Sequence, residues 1–118
     1  MGPRRLSAFR EAISRVFGSW EAFPSAISKF RIVGVSDNRK DRYVKDRYVL
    51  EHIDFDGERY ATRLPANLEI RDSKIWILTD NTEEDIATEL VAVGVPKECI
   101  VLASYPRSVR EMGEFAVA

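Results

Sequence analysis

Apolar residues recur at helical spacing over residues 4–17: Leu6, Phe9, Ile13, Val16 and Phe17 make one stripe, and Arg4, Arg5, Arg10, Glu11 and Arg15 take the remaining positions. This pattern predicts an amphipathic helix laid on a core, with Gly18 as its stop. Residues 19–30 read as a connector, punctuated by Pro24, with Trp20, Phe23 and Ile27 available to lie over a sheet. The period then changes to that of strands. A first strand is expected at residues 31–35, turn chemistry follows at Ser36-Asp37-Asn38, and longer strands are expected at about 43–55 and 58–70. Asp56-Gly57 between them favours a tight turn of the primed type. Pro65 lacks a ladder donor, which predicts an edge position or a bulge near residues 65–67. Asp72-Ser73 then turns the chain into the next strand.

The stretch from Lys74 to Leu102 reads as strand, capped helix, stop and return strand. Ile75 to Leu78 is a continuous apolar run, which suits a strand covered on both faces. Thr82 is the expected N-cap, with Asp85 approximating a capping box and Glu83, Glu84 and Asp85 placing negative charge at the positive end of the helix dipole. Ile86, Leu90 and Val93, flanked by Ala87 and Val91, give a core-facing stripe. Gly94 supplies the left-handed residue of a Schellman stop, Val95 is placed to touch Leu90, and Pro96 blocks continuation. Beyond the return strand at residues 100–102, Tyr105-Pro106 marks a loop and residues 107–112 one or two helical turns. The chain closes on the apolar Phe115-Ala116-Val117-Ala118. The expected architecture is one α+β domain over residues 1–118: an N-terminal helix, a four-stranded antiparallel β-meander, a second helix, and a short C-terminal strand and helical turn.

Composition narrows the chemistry. With 118 residues, 45% of them hydrophobic, the chain can bury a core without staples. Its single cysteine, Cys99, excludes an intramolecular disulfide, and its apolar neighbours predict a buried structural thiol. No apolar run has the length of a membrane span and no secretory pattern opens the chain, so the cytoplasm is the expected compartment. The net charge of −1 conceals an asymmetry: residues 1–63 hold 13 Lys/Arg against 9 Asp/Glu, and residues 64–118 hold 5 against 10. No basic stretch is long or pure enough to track phosphates, so contact with DNA is expected to be indirect, or weak and salt-dependent.

Catalytic sets are sparse. His52 is the only histidine and alternates with Tyr48 and Leu50 on a strand, which predicts a structural role. One His and one Cys make half a zinc ligand set, and helix capping explains the acidic run at Asp80, Glu83, Glu84 and Asp85. No metal or cofactor is expected. The enzymatic alternative is a Mg²⁺-dependent nuclease, because Asp56 followed by Asp72-Ser73-Lys74 matches a loose pattern of two metal-holding carboxylates and a lysine that positions water. Pro65 as an edge, with Trp20, Tyr43 and Tyr105 exposed, predicts a homodimer. The apolar ending predicts a partner surface or a tail packed on its own sheet; the residues expected at a partner surface are Tyr105, Arg107, Arg110, Phe115 and Val117.

Asp80-Asn81-Thr82-Glu83, Ile86-Ala87, Glu89-Leu90-Val91, Gly94-Val95-Pro96-Lys97, Ile100-Val101-Leu102 and the final Glu114-Phe115-Ala116-Val117-Ala118 resemble the XisI family, the fdxN element excision controlling factors. Asp56-Gly57 and Asp72 extend the resemblance back to about residue 30. It implies a small bacterial accessory protein, without catalytic residues, that acts with a XisH-like nuclease-fold partner in the excision of a DNA element. Two departures stand out. Ser73 and Asn81 occupy positions where the family pattern has glycine, which predicts strain at Ser73 and tolerance at Asn81. Residues 40–44, Lys-Asp-Arg-Tyr-Val, are repeated at once as residues 45–49, where the family pattern has room for one copy. In one regular strand the odd shift would set Tyr43 and Tyr48 on opposite faces.

Overall fold

Two helices and one sheet share an apolar core in the computed structural model, which describes residues 3–21, 28–35, 46–82 and 85–118. Helix α1 spans Pro3–Glu21. Strands β1 (Ser28–Val35), β2 (Asp46–Phe55), β3 (Tyr60–Arg71) and β4 (Lys74–Asp80) pair antiparallel in sequence order. Helix α2 (Ile86–Ala92) and a 3₁₀ turn at Lys97–Cys99 return the chain to β5 (Ile100–Leu102), which pairs parallel to β4. Helix α3 is a single turn, Arg107–Arg110. Among the described residues, no helix is long and apolar enough to cross a membrane.

Cross-strand register explains which side chains leave water. Tyr48 stands opposite Leu68, Leu50 opposite Ala66, Leu68 opposite Ile77, Ile70 opposite Ile75, and Ile75 opposite Ile100, so all share one face. Phe9, Ile13, Val16 and Phe17 of α1 and Ile86, Ala87 and Leu90 of α2 pack into the same buried cluster, which places both helices on that face. On the reverse face Glu69 is opposite Arg47 and Trp76. Its buried carboxylate accepts from Arg47 Nη2, and Arg71 Nη1 lies 3.7 Å away while its guanidinium covers the Trp76 ring at 3.9 Å. Ile75 and Ile77 are therefore buried under helices, while Trp76 and Leu78 are half-buried. The expected cover on both faces of β4 is complete on one face only.

Several local expectations are corrected by the tertiary context. Helix α1 runs through Gly18 to Glu21, and a Cβ at Gly18 would meet nothing within 4 Å. Residues 19–21 and 28–30 thus belong to α1 and β1, and the rest of the expected connector, like Tyr43 and the first repeat copy, lies outside the described residues. Pro65 sits in a central strand between β2 and β4. It is accommodated by a bulge: from Leu50 to His52 the partners on β3 move from Ala66 to Arg63, so Leu64 and Pro65 share one place opposite Glu51. A second shift, between Asn67 and Leu68, leaves Leu78 as the extra residue of β4. The N-cap of α2 is Asp85, which accepts from Thr88 N, whereas Thr82 donates its backbone N–H and hydroxyl to Asp80 Oδ1 at 3.1 and 2.6 Å. The Schellman stop forms, with Val95 N bonding Leu90 O and Gly94 N bonding Val91 O, both at 3.0 Å, and Gly94 at φ +106°.

The two hairpin turns use different chemistry. Asp56 N bonds Arg59 O, and Gly57, the first central residue, is at φ +99°. Between Arg71 and Lys74, Asp72 and Ser73 are both left-handed, at φ 51° and 62°, the requirement of a two-residue type I′ turn. Asn81 has no positive φ, so glycine is not needed there. Of the two positions where glycine is expected, Ser73 alone is left-handed, and Asp72 beside it is of a type that tolerates that region. Ser73→Gly is expected to stabilise the protein by about 1 kcal/mol and to raise Tm by a few degrees, as read by thermal denaturation. An unchanged or lower Tm would mean that serine sits in the left-handed region there at no cost.

Candidate partner-binding groove

The catalytic candidates are dispersed or committed to structure. Asp56 opens the turn before β3 and Asp72 the turn after it, and the 12 residues of β3 hold them apart. At about 3.3 Å per residue, and allowing for the bulge, that separation is roughly 30 Å, too far for one Mg²⁺ to bridge. Lys74 lies at the Asp72 end. The expected nuclease set of Asp56, Asp72 and Lys74 is therefore not a site. Asp56 Oδ1 instead accepts from Arg59 N and Glu58 N at 2.8 and 2.9 Å, and these bonds, that to Arg59 first, hold its carboxyl below the ordinary aspartate value. Asp80 is equally occupied, since Oδ1 takes both Thr82 donors and Oδ2 accepts Ile86 N at 3.1 Å. This one carboxylate ties the end of β4 to the start of α2.

His52 is buried between two side chains. Its Nδ1 is 2.7 Å from Arg63 Nη2 and its Nε2 is 3.4 Å from Asp54 Oδ1. A guanidinium can only donate, so Nδ1 is the acceptor and Nε2 carries the proton. Both ring nitrogens are thus used within the hairpin. Cys99 is free and half-buried against the core, less enclosed than its sequence neighbours suggest. Among the described residues no three His, Cys, Asp or Glu side chains converge on a metal position.

The C-terminal segment makes a different kind of site. It leaves β5, with Ala103 N bonded to Ile77 O and Tyr105 N to Leu102 O, turns through α3, and comes back along the outer side of β5. Pro106 precedes α3 and its carbonyl accepts from Val109 N and Arg110 N, as suits a residue with no N–H of its own at a helix start. On return, Ala116 N bonds Ile100 O at 2.9 Å and Ala116 bridges Val101 in parallel, while Phe115 packs against the core. The loop encloses a groove of about 220 Å³ with Leu102, Tyr105, Val109, Arg110 and Phe115 among its walls. Its lining is mostly apolar, with two charged residues: Glu114, which is paired with Lys97, and Arg110, whose Nε is buried without a hydrogen-bond partner. Tyr105 and Val109 are exposed at the rim, and Met112, outside the lining, is exposed as well.

A second hollow of about 270 Å³ continues the groove toward α2, sharing Leu102, Tyr105 and Phe115 and adding Asp80, Thr82 and Ser104. Charge at the outer margin is already paired. Lys97 Nζ bonds Glu114 Oε2 at 2.7 Å, a contact that lowers the Glu114 pKa first through the hydrogen bond and then through its charge. Arg107 lies 3.3 Å from Glu111 one turn on, an exposed pair of small value.

Of the five residues expected at a partner surface, Tyr105, Arg110 and Phe115 meet in the groove. Arg107 faces Glu111 outside the lining, and Val117 lies half-buried beyond Ala116. Leu102 and Val109 are the large apolar wall residues that the sequence reading omits, and Gly113, Glu114 and Ala116 complete the lining. The spacing of Tyr105, Val109 and Met112, four and then three residues, is a helical stripe that could have marked one face.

Likeness to known proteins covers the same chain from end to end. The family model described as XisI protein matches residues 4–117. The crystal structure of the fdxN element excision controlling factor XisI from Anabaena variabilis ATCC 29413 superposes with a TM-score of 0.67 at 25% identity, covering 97% of this chain and 99% of that one. A XisI-like protein from the same organism superposes with a TM-score of 0.73 at 23% identity, covering 96% and 99%, a likeness of fold. No curated protein matches the chain.

Proposed function

This chain belongs to the XisI family, and on that premise we propose that it is a non-enzymatic controlling factor for the excision of a DNA element, acting by docking a protein partner. What supports the first part is its likeness, at 25% identity over nearly its whole length, to the fdxN element excision controlling factor XisI. What supports the second is the groove. An apolar hollow rimmed by exposed Tyr105 and Val109, with an unpartnered guanidinium nitrogen in its wall, suits an apolar side chain followed by a carboxylate on a protein surface. The XisH-like nuclease-fold protein implied by the family resemblance is the partner we assign to it. Any DNA contact by this chain is expected to be weak and sequence-independent, since its sequence holds no long basic stretch and its net charge is −1.

Binding between the purified chain and its XisH-like protein tests this reading. Tyr105→Ala and Arg110→Ala are each expected to weaken the complex by tenfold or more, in the range of about 1.4 kcal/mol or above for an anchor residue. Because Tyr105 is exposed, its variant should keep the wild-type Tm. Unchanged affinity in both variants would remove the groove from the interface. Cleavage of DNA by the purified chain with Mg²⁺ would overturn the non-enzymatic assignment.

A further inference from the structure

Among the described residues, the outer half of β3 is paired on one side only. β2 runs beside it through the pairs Phe55↔Tyr60, Asp54↔Ala61, Ile53↔Thr62 and His52↔Arg63, whereas β4 reaches no further than Ala66. Residues 60–64 are all exposed, Tyr60 at 74% and Leu64 at 54%. The bond from Asp56 N to Arg59 O sets the phase of the ladder. Ala61 and Arg63 therefore turn their backbone groups toward β2, and Tyr60, Thr62 and Leu64 turn theirs to the open side. Residues 60–64 hold no lysine, acid or proline, the guanidinium of Arg63 is engaged with His52, and the bulge at Leu64–Pro65 guards only the inner end of the edge.

We propose that a second copy of this chain adds to this edge, antiparallel, about a two-fold axis at Thr62. The segment is its own complement in that register. Thr62 meets Thr62 of the partner subunit, Tyr60 meets Leu64 of the partner subunit, and Ala61 meets Arg63 of the partner subunit, so no like charges face each other. Because 60, 62 and 64 are the outward-bonding positions, these pairs exchange about six backbone hydrogen bonds across the axis. Tyr60 already stacks on Phe55 at 4.7 Å, and a leucine from the other copy extends that stack. An interface that returns each residue to its counterpart is what a closed two-fold dimer requires. A contact of this length falls short of the roughly 800 Å² per partner of a standard interface, so the dimer is concentration-dependent with a micromolar Kd. The surface shares no residue with the C-terminal groove, and its failure would leave the proposed function intact.

Sedimentation velocity on the full chain, from about 5 to about 200 µM, spans that Kd. The wild type should pass from monomer to dimer. Thr62→Pro removes a donor that β2 does not use, so it should stay monomeric with an unchanged circular dichroism spectrum. Thr62→Cys in a Cys99→Ala background covers the case in which proline disturbs folding. Facing residues in a hydrogen-bonded antiparallel pair have Cα atoms about 5.5 Å apart, within disulfide reach, so mild oxidation should yield a covalent dimer. Ala61→Cys points to the other face and is offset from its counterpart, and it should not cross-link. A monomer throughout the range, a dimer that Thr62→Cys fails to trap, or equal trapping at residues 61 and 62 would each overturn the assignment.

Discussion

Arg10→Ala is expected to destabilise the protein by about 3 kcal/mol, a large effect for a residue that is itself partly exposed. Asp46 enters the core at the start of β2 with 2% of its surface accessible, and its carboxylate is held by Arg10 Nε and, at 3.0 Å, by Arg10 Nη2 from α1. Removing the arginine leaves a buried charge without its bidentate partner, which typically costs about 3 to 5 kcal/mol. The lower end applies because Arg10 is 31% exposed and water can reach the gap. The pair also raises the Arg10 pKa, with the hydrogen bond to Asp46 as the leading cause, so the arginine stays charged at any pH at which the protein folds. Replacing both partners, Arg10→Met with Asp46→Leu, should recover much of the loss because no buried charge remains. Urea denaturation of the two single variants and the double variant measures this. A loss under about 1 kcal/mol for Arg10→Ala would show that the pair does not secure α1 to the sheet.

Truncation after Gly113 should lower Tm by about 10 °C. It removes the half-buried Phe115 ring from the core, the bond from Ala116 N to Ile100 O, and the cover along β5 beside the fully buried Val101. Partial burial of a phenylalanine and one buried backbone bond together stabilise by about 2 to 3 kcal/mol, and at this chain length each kcal/mol moves Tm by about 4 °C. The Lys97–Glu114 pair is exposed and adds little. A tail that packs on its own sheet predicts this loss, and an unchanged Tm would contradict the packing of Phe115. Loss of partner binding by the truncated chain would not by itself identify a docking element, because Phe115 also forms a groove wall. Tyr105→Ala separates the two roles, since it alters the rim and leaves the core intact.

The resemblance to the XisI family was legible on short motifs near the C-terminal half, and the family match over residues 4–117 extends it through α1. The groove was half legible. An apolar ending marks residues that want cover, which drew attention to Phe115, but nothing in a linear reading says that Arg110 turns inward while Arg107, three residues earlier, turns to Glu111. The nuclease pattern failed for the complementary reason. Asp56 and Asp72 look close in sequence terms, and the 12-residue strand β3 is what lies between them.

What the sequence determined alone is whatever depends on neighbours within about one turn or one hairpin. The stripe of α1, the Schellman end at Gly94, the turns at Asp56-Gly57 and Asp72-Ser73, and the need for either an edge or a bulge at Pro65 all follow from backbone sterics and local hydrogen bonding. The tertiary structure decided what depends on which strand lies beside which. It placed Pro65 in a central strand, moved the cap of α2 from Thr82 to Asp85 because Asp80 claims the threonine, and set β5 parallel to β4. It also brought Arg10 to Asp46 across 36 residues and left residues 60–64, among the described residues, without a strand on one side. Charge and backbone hydrogen bonds are settled by whichever partners burial brings within reach, and across that distance the order of residues does not name them.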